Sequence, residues 1–139
     1  MQLGRITAVT ITSPDLDRVI DIYSKYLNYN FVSSTRVNAH QAKSWNAPNI
    51  ENSEMIYMSP EGSNDFFFRF VEQNIDSSYV PFGTYGWNAA ELIVRDVDKS
   101  ATRIMDSPFE IIGEPADLSF TDQIRAMQIM GPSEEVLHL

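Results

Sequence analysis

VTITSPDLDRVIDIY, residues 9–23, and LIVRDVDKSATRI, residues 92–104, follow one plan. Each opens as a short apolar strand, breaks at an acidic cap and goes on as an amphipathic segment. Asp15-Leu16-Asp17 returns as Asp96-Val97-Asp98, an offset of 96 − 15 = 81 residues. A repeat that long in a chain of 139 residues means two copies of one supersecondary unit, not a solenoid of many. The expected architecture is α+β, one domain made of two units that bury their apolar faces.

Bulk composition narrows the function classes. A hydrophobic content of 43% is ample for a packed interior, and 21% charged residues make an ordinary soluble surface. The net charge of −9 and the lack of a Lys/Arg cluster argue against a nucleic-acid partner and against an anionic membrane surface. No apolar run approaches the ~20 residues that span a bilayer, and no secretory signal opens the chain. With no Cys there is no disulfide, thiolate metal site or Cys nucleophile. The expectation is a cytoplasmic globular protein.

The order of elements repeats as well. Residues 7–12 alternate as a strand, and Ser13-Pro14-Asp15 starts a helix with Ser13 as the expected N-cap. Its apolar stripe is Leu16, Val19, Ile20, Tyr23, Tyr26 and Leu27. Strands follow at 31–37, 54–58 and 66–71, with a long irregular stretch at 38–53. That stretch carries His40, Gln41, Lys43 and Trp45, a composition typical of functional loops. Residues 73–86 read as a linker between a first module, 1–72, and a second, 87–139. The second module predicts a strand at 87–94 and a helix capped by Asp96 with the stripe Val97, Ala101, Ile104 and Met105. Its further strands are expected at 109–112, 126–130 and 135–139. Each module therefore reads βαβββ.

This order, with TITSPDLDRVIDIY and the matching LIVRDVDKS, resembles the vicinal oxygen chelate superfamily, which includes glyoxalase I, extradiol dioxygenases, fosfomycin resistance proteins and bleomycin-binding proteins. The resemblance covers essentially the whole chain. It implies two βαβββ modules whose sheets form a cup with helices outside, and a divalent metal in that cup in active members. The first-module ligand position falls on Ala8, 15 − 8 = 7 residues before the cap, and its counterpart on Ala89, 96 − 89 = 7 before the second cap. The other two positions hold Arg69, within Phe68-Arg69-Phe70, and His138, within Leu137-His138-Leu139. A transition-metal site takes three or four N/O donors. Two alanines, an arginine and one histidine do not supply them, so no metal and no other cofactor is expected.

Strand alternation names the rest of the cup. Ile6 and Thr10 share a face with Ala8, Phe67 and Val71 with Arg69, Trp87 and Glu91 with Ala89, and Val136 with His138. The candidate catalytic groups are Arg69, His138 and Glu91. The candidate ligand-binding residues are Ala8, Thr10, His40, Trp45, Phe67, Trp87 and Ala89. Arg69 suits a carboxylate, phenolate or carbonyl oxygen. In the competing reading Arg69 and Glu91 pair with each other, His138 donates to a backbone carbonyl, and His40 is simply solvated. Phe66, Phe68 and Phe70 are expected in the helix-facing core, and Asp15, Asp17, Asp96 and Asp98 in first helical turns.

The function expected is metal-independent binding of a small hydrophobic or aromatic molecule, of sequestration or resistance type. The alternatives are a metal-free isomerase, lyase or cyclase using Arg69 with His138 or Glu91, and a metalloenzyme with non-standard ligands such as His40, Glu91 and His138. A homodimer is expected from the resemblance. The chain stops just after the last ligand position, which fits either a natural end or one half of a longer multi-module chain.

Overall fold

The computed structural model describes residues 4–63 and 65–139. The chain divides into two compact units, Met1–Asp76 and Ser77–Leu139, and the division falls inside the stretch expected as linker. Each unit is a βαβββ module built on a four-stranded mixed sheet.

In the first unit β1 (Ala8–Ser13) leads into α1 (Leu16–Leu27), then β2 (Tyr29–Arg36), β3 (Glu54–Pro60) and β4 (Phe67–Glu72). The sheet order is β1-β4-β3-β2, with β1 parallel to β4 and the other pairs antiparallel. Asp15, not Ser13, caps α1: its carboxylate accepts the Arg18 backbone N–H at 2.9 Å. Ser13 is instead buried at the end of β1, where its hydroxyl meets the Asp15 backbone at 3.3 Å. Leu16, Val19, Ile22 and Tyr23 form the buried side of the helix. Tyr23 meets Phe68 and Phe70 edge-on, with ring centroids 5.8 and 5.0 Å apart, and Phe66 meets Phe68 at 5.1 Å. Phe68 and Phe70 are fully buried, so removing either ring would cost about 3–5 kcal/mol.

The stretch expected to be irregular is ordered. It forms α2 (Ala39–Ser44) and a short 3₁₀ turn (Pro48–Ile50). Asn38 and Gln41 make a reciprocal capping box, each side chain accepting the other's backbone N–H. Six residues are too few for a helical period to register in sequence, which is why composition alone suggested a loop.

The second unit runs β5 (Ala89–Glu91), α3 (Val97–Met105), β6 (Glu110–Leu118), β7 (Thr121–Met130) and β8 (Val136–His138), in sheet order β5-β8-β7-β6. Asp96 caps α3 as Asp15 caps α1, accepting Lys99 N–H at 3.0 Å, and this bond holds its carboxyl below the usual range. Val97, Ala101 and Ile104 are buried, whereas Met105 points to solvent and is no part of the stripe. Strand β5 is shorter than expected because β8 offers it only three partners. Strands β6 and β7 are longer, since their polar outer half pairs through backbone without a buried face to mark it. Bulges flank Pro115, which has no N–H to give the ladder. Arg125 ties this hairpin to α3 by a fork onto Asp98 at 2.9 and 3.1 Å, with a third bond to Asp117 at 3.2 Å.

Candidate functional site

The register of the first sheet sorts its side chains into two faces. Val9 and Ile11 pair with Phe68 and Phe70 beneath α1, while Ala8, Thr10 and Thr12 pair with Phe67, Arg69 and Val71 on the opposite face. Strand β3 adds Tyr57 beside Arg69 and Met55 beside Val71. Val71 and Met55 belong to a cluster with Val37, Ala42 and Ile50, against which Trp45 and Tyr57 pack. One end of this face is thereby closed by α2 and the 3₁₀ turn. The rest, around Arg69, Phe67, Tyr57 and Thr10, is half-buried or exposed.

Arg69 is the central feature. Its guanidinium carbon lies 4.8 Å over the Trp45 ring. Its Nε is buried and has no hydrogen-bond partner. Tyr57 and Phe67 meet edge-on at 6.0 Å beside it and form an aromatic wall. Trp45 is held in place as the C-cap of α2, its backbone N–H donating to Gln41 O at 2.9 Å. His40 lies on α2 but is exposed, on the side away from buried Ala42. Alternation along β4 puts Arg69 and Phe67 on this face, as expected from sequence; Tyr57 shares the face through its pairing with Arg69, which alternation along β3 alone does not reveal.

In the second unit, register aligns Glu91, His138 and Gln128 across β5, β8 and β7, and Ala89 with Val136. Gln128 Nε2 lies 3.2 Å from His138 Nε2. The amide of Gln128 can serve the imidazole as donor or acceptor, so the pair is matched in either tautomer. Gln128 had no signal of its own in the sequence. Glu91 is exposed at the end of β5. Trp87 precedes β5 and stands 97% exposed, so the alternation that grouped it with Ala89 stops short of it.

The donor set does not fit a metal ion at the positions the resemblance marks. Ala8 and Ala89 carry no donor, Arg69 is a half-buried cation, and His138 is in contact with Gln128. Among the described residues, no three His, Asp or Glu side chains come together to hold one. Among the described residues, too, no helix is long and apolar enough to cross a membrane.

No family model and no curated protein matches the sequence. Solved structures do match. A glyoxalase family protein from Bacillus cereus superposes with a TM-score of 0.71 at 18% identity, over 100% of this chain and 94% of that one. TnmS3, an antibiotic binding protein from a Streptomyces species, matches at 0.65 and 16% identity, over 100% and 96%. FosX, a fosfomycin resistance protein from Listeria monocytogenes solved with Mn(II) and sulfate, matches at 0.62 and 14%, over 100% and 92%. The fold is that of the glyoxalase/bleomycin resistance/dioxygenase proteins, the vicinal oxygen chelate superfamily.

Proposed function

We propose that this chain, built on the vicinal oxygen chelate fold, binds a small hydrophobic or aromatic organic molecule without a metal ion, as a sequestering or resistance protein. The observation that carries this reading is Arg69, stacked on Trp45 in the middle of an aromatic face and lacking a hydrogen bond at Nε. The face has the makeup of a small-molecule site: apolar and aromatic walls with one well-placed polar group. The likeness to an antibiotic binding protein and to a resistance protein agrees with it. Ala8, Thr10, Trp45 and Phe67 are assigned to the ligand-binding face of the first unit, with His40 at its rim; Ala89 is the corresponding position on the second unit's own sheet. A cytoplasmic homodimer remains part of the proposal.

A second reading is a metal-independent isomerase, lyase or cyclase using Arg69 with His138 or Glu91. The alignment of Glu91, His138 and Gln128 across three strands favours it. An imidazole and a carboxylate are the side chains of this set that can relay a proton.

The deciding measurement is thermal stabilisation by a panel of aromatic acids, quinones and polyketides, with the Arg69→Ala and His138→Ala proteins alongside. A true ligand at ~100-fold excess over Kd adds roughly 2.7 kcal/mol. The expected outcome is stabilisation of the parent chain that Arg69→Ala abolishes. Stabilisation unchanged in both variants would place the site elsewhere, and no stabilisation by any compound would overturn the reading. Turnover of a bound compound, lost in His138→Ala, would select the catalytic reading.

A further inference from the structure

We infer that the ligand of the Arg69 face is a planar aromatic anion, a carboxylate or an ionised phenol or enol, and that Trp45 is the residue that positions the guanidinium for it. This rests on the binding reading above and narrows it to one charge and one shape.

The first argument is charge. A guanidinium stays ionised at any pH a protein survives, so burial cannot neutralise it. Arg69 is flanked in register by Thr10 and Tyr57 and along its own strand by Phe67 and Val71. None of these carries a negative charge, and Arg69 has no ion pair among the described residues. The chain does not lack acids: it has nineteen Asp and Glu against ten Lys and Arg. Its ion pairs among the described residues sit elsewhere, at Arg5–Asp65, Lys99–Asp96, Arg125–Asp98 and Arg125–Asp117. A half-buried cation left uncompensated in so acidic a chain is costly unless an anion joins it.

The second argument is geometry. The guanidinium carbon lies 4.8 Å over the Trp45 ring, a cation–π contact that needs no N–H···acceptor bond. A carboxylate partner from the protein would have consumed the guanidinium N–H groups; the indole contact leaves Nε unpaired. The free edge matches two coplanar oxygens, as in a carboxylate. Tyr57 and Phe67 then supply a wall for a flat ring. A phosphate monoester would want several converging donors or a backbone nest, and Arg69 stands as a single fork among aromatic rings. Trp45 thus acts through Arg69, as a positioning residue.

The test uses the full chain and two probes of nearly equal shape, 2-naphthoate and neutral 2-naphthamide, with affinities measured calorimetrically. The parent protein is expected to prefer naphthoate by at least about tenfold, the worth of one charge-assisted fork, and to lose that preference as salt rises. Arg69→Gln is expected to bind both probes alike. Trp45→Leu is expected to shrink the preference for naphthoate, and Trp45→Phe, which keeps an aromatic face and guards against a folding defect, to restore most of it. Equal binding of both probes by the parent chain overturns the anion inference and leaves the binding reading standing. Binding of neither probe, while a compound of the thermal-shift panel stabilises the chain, overturns the anion inference alone; failure of the probes and of the whole panel overturns both. If Trp45→Leu weakens the two probes by the same factor, Trp45 only supports the wall and its positioning role falls.

Discussion

Tyr29 and Arg69 show how one physical fact, removal from water, has opposite consequences for two side chains. Tyr29 is 5% exposed, edge-on to Tyr23 at 5.9 Å and tilted over Phe68 at 5.5 Å. Burial pushes its phenol far above the usual tyrosine range. The neutral form is at home there, so Tyr29 marks core. Arg69 has no neutral form to fall back on, so on the inference above its partial retreat from water marks a place for a counter-ion. The Tyr29 case yields a signed pH dependence. Below the unfolded pKa of about 10 both states hold the proton and its contribution is fully present. Above that value the unfolded chain releases the proton while the folded chain keeps it, so stability falls as pH rises toward the folded pKa. Urea unfolding followed from pH 8 to pH 11, both values marking roughly two sides of that pKa, should show a smaller alkaline loss in Tyr29→Phe than in the parent. Identical slopes would mean that Tyr29 is not the group responsible.

Helices α1 and α3 start by the same device, an Asp in extended conformation taking the N–H three residues on. Replacing Asp15 by Ala orphans the Arg18 N–H and should cost about 1 kcal/mol, whereas Asp15→Asn keeps an acceptor and should cost little. Chemical denaturation of the two variants checks this, and an equal loss in both would show that charge, not capping, is what α1 uses. The duplicated cap is also why so much of the fold was legible in the sequence. Asp15 and Asp96 set the frame, and strand alternation from there put Arg69 on the face away from α1. What stayed hidden has physical reasons. Ser13 is a good cap by type, but the strand carries it one turn of chain too early and buries it. The helix α2 is stabilised by Asn38 and Gln41 acting on each other, a pairwise effect that composition does not display. Strands β6 and β7 run far past the buried Met127 and Ile129 on backbone pairing alone, so no apolar period marks their outer half. Tyr57 and Gln128 matter through cross-strand neighbours, and register is a property of pairs that no single strand announces.

At the scale of the whole molecule the chain is two modules, each with its own sheet, its own helix and its own buried cluster. The start of the second unit, ahead of β5, exposes Tyr79, Phe82 and Tyr85, and Trp87 follows at 97% exposure. Chymotrypsin at low dose should therefore cut first within 79–87 and yield fragments near the sizes of the two units. A first cut inside α1 or the sheets would show that the units open more readily than the segment ahead of β5. In each unit the first strand pairs with the last: Ala8 meets Phe67 across 67 − 8 = 59 residues, and Ala89 meets Val136 across 136 − 89 = 47. At ribosomal speeds of ~5–20 residues per second, β1 waits roughly 3–12 s for β4 to be synthesised. During that interval the apolar side chains Val9 and Ile11 have no native strand beside them, and the nascent chain is open to chaperones. Once β4 emerges, the first unit holds every strand of its own sheet and can close while the second unit is still being completed.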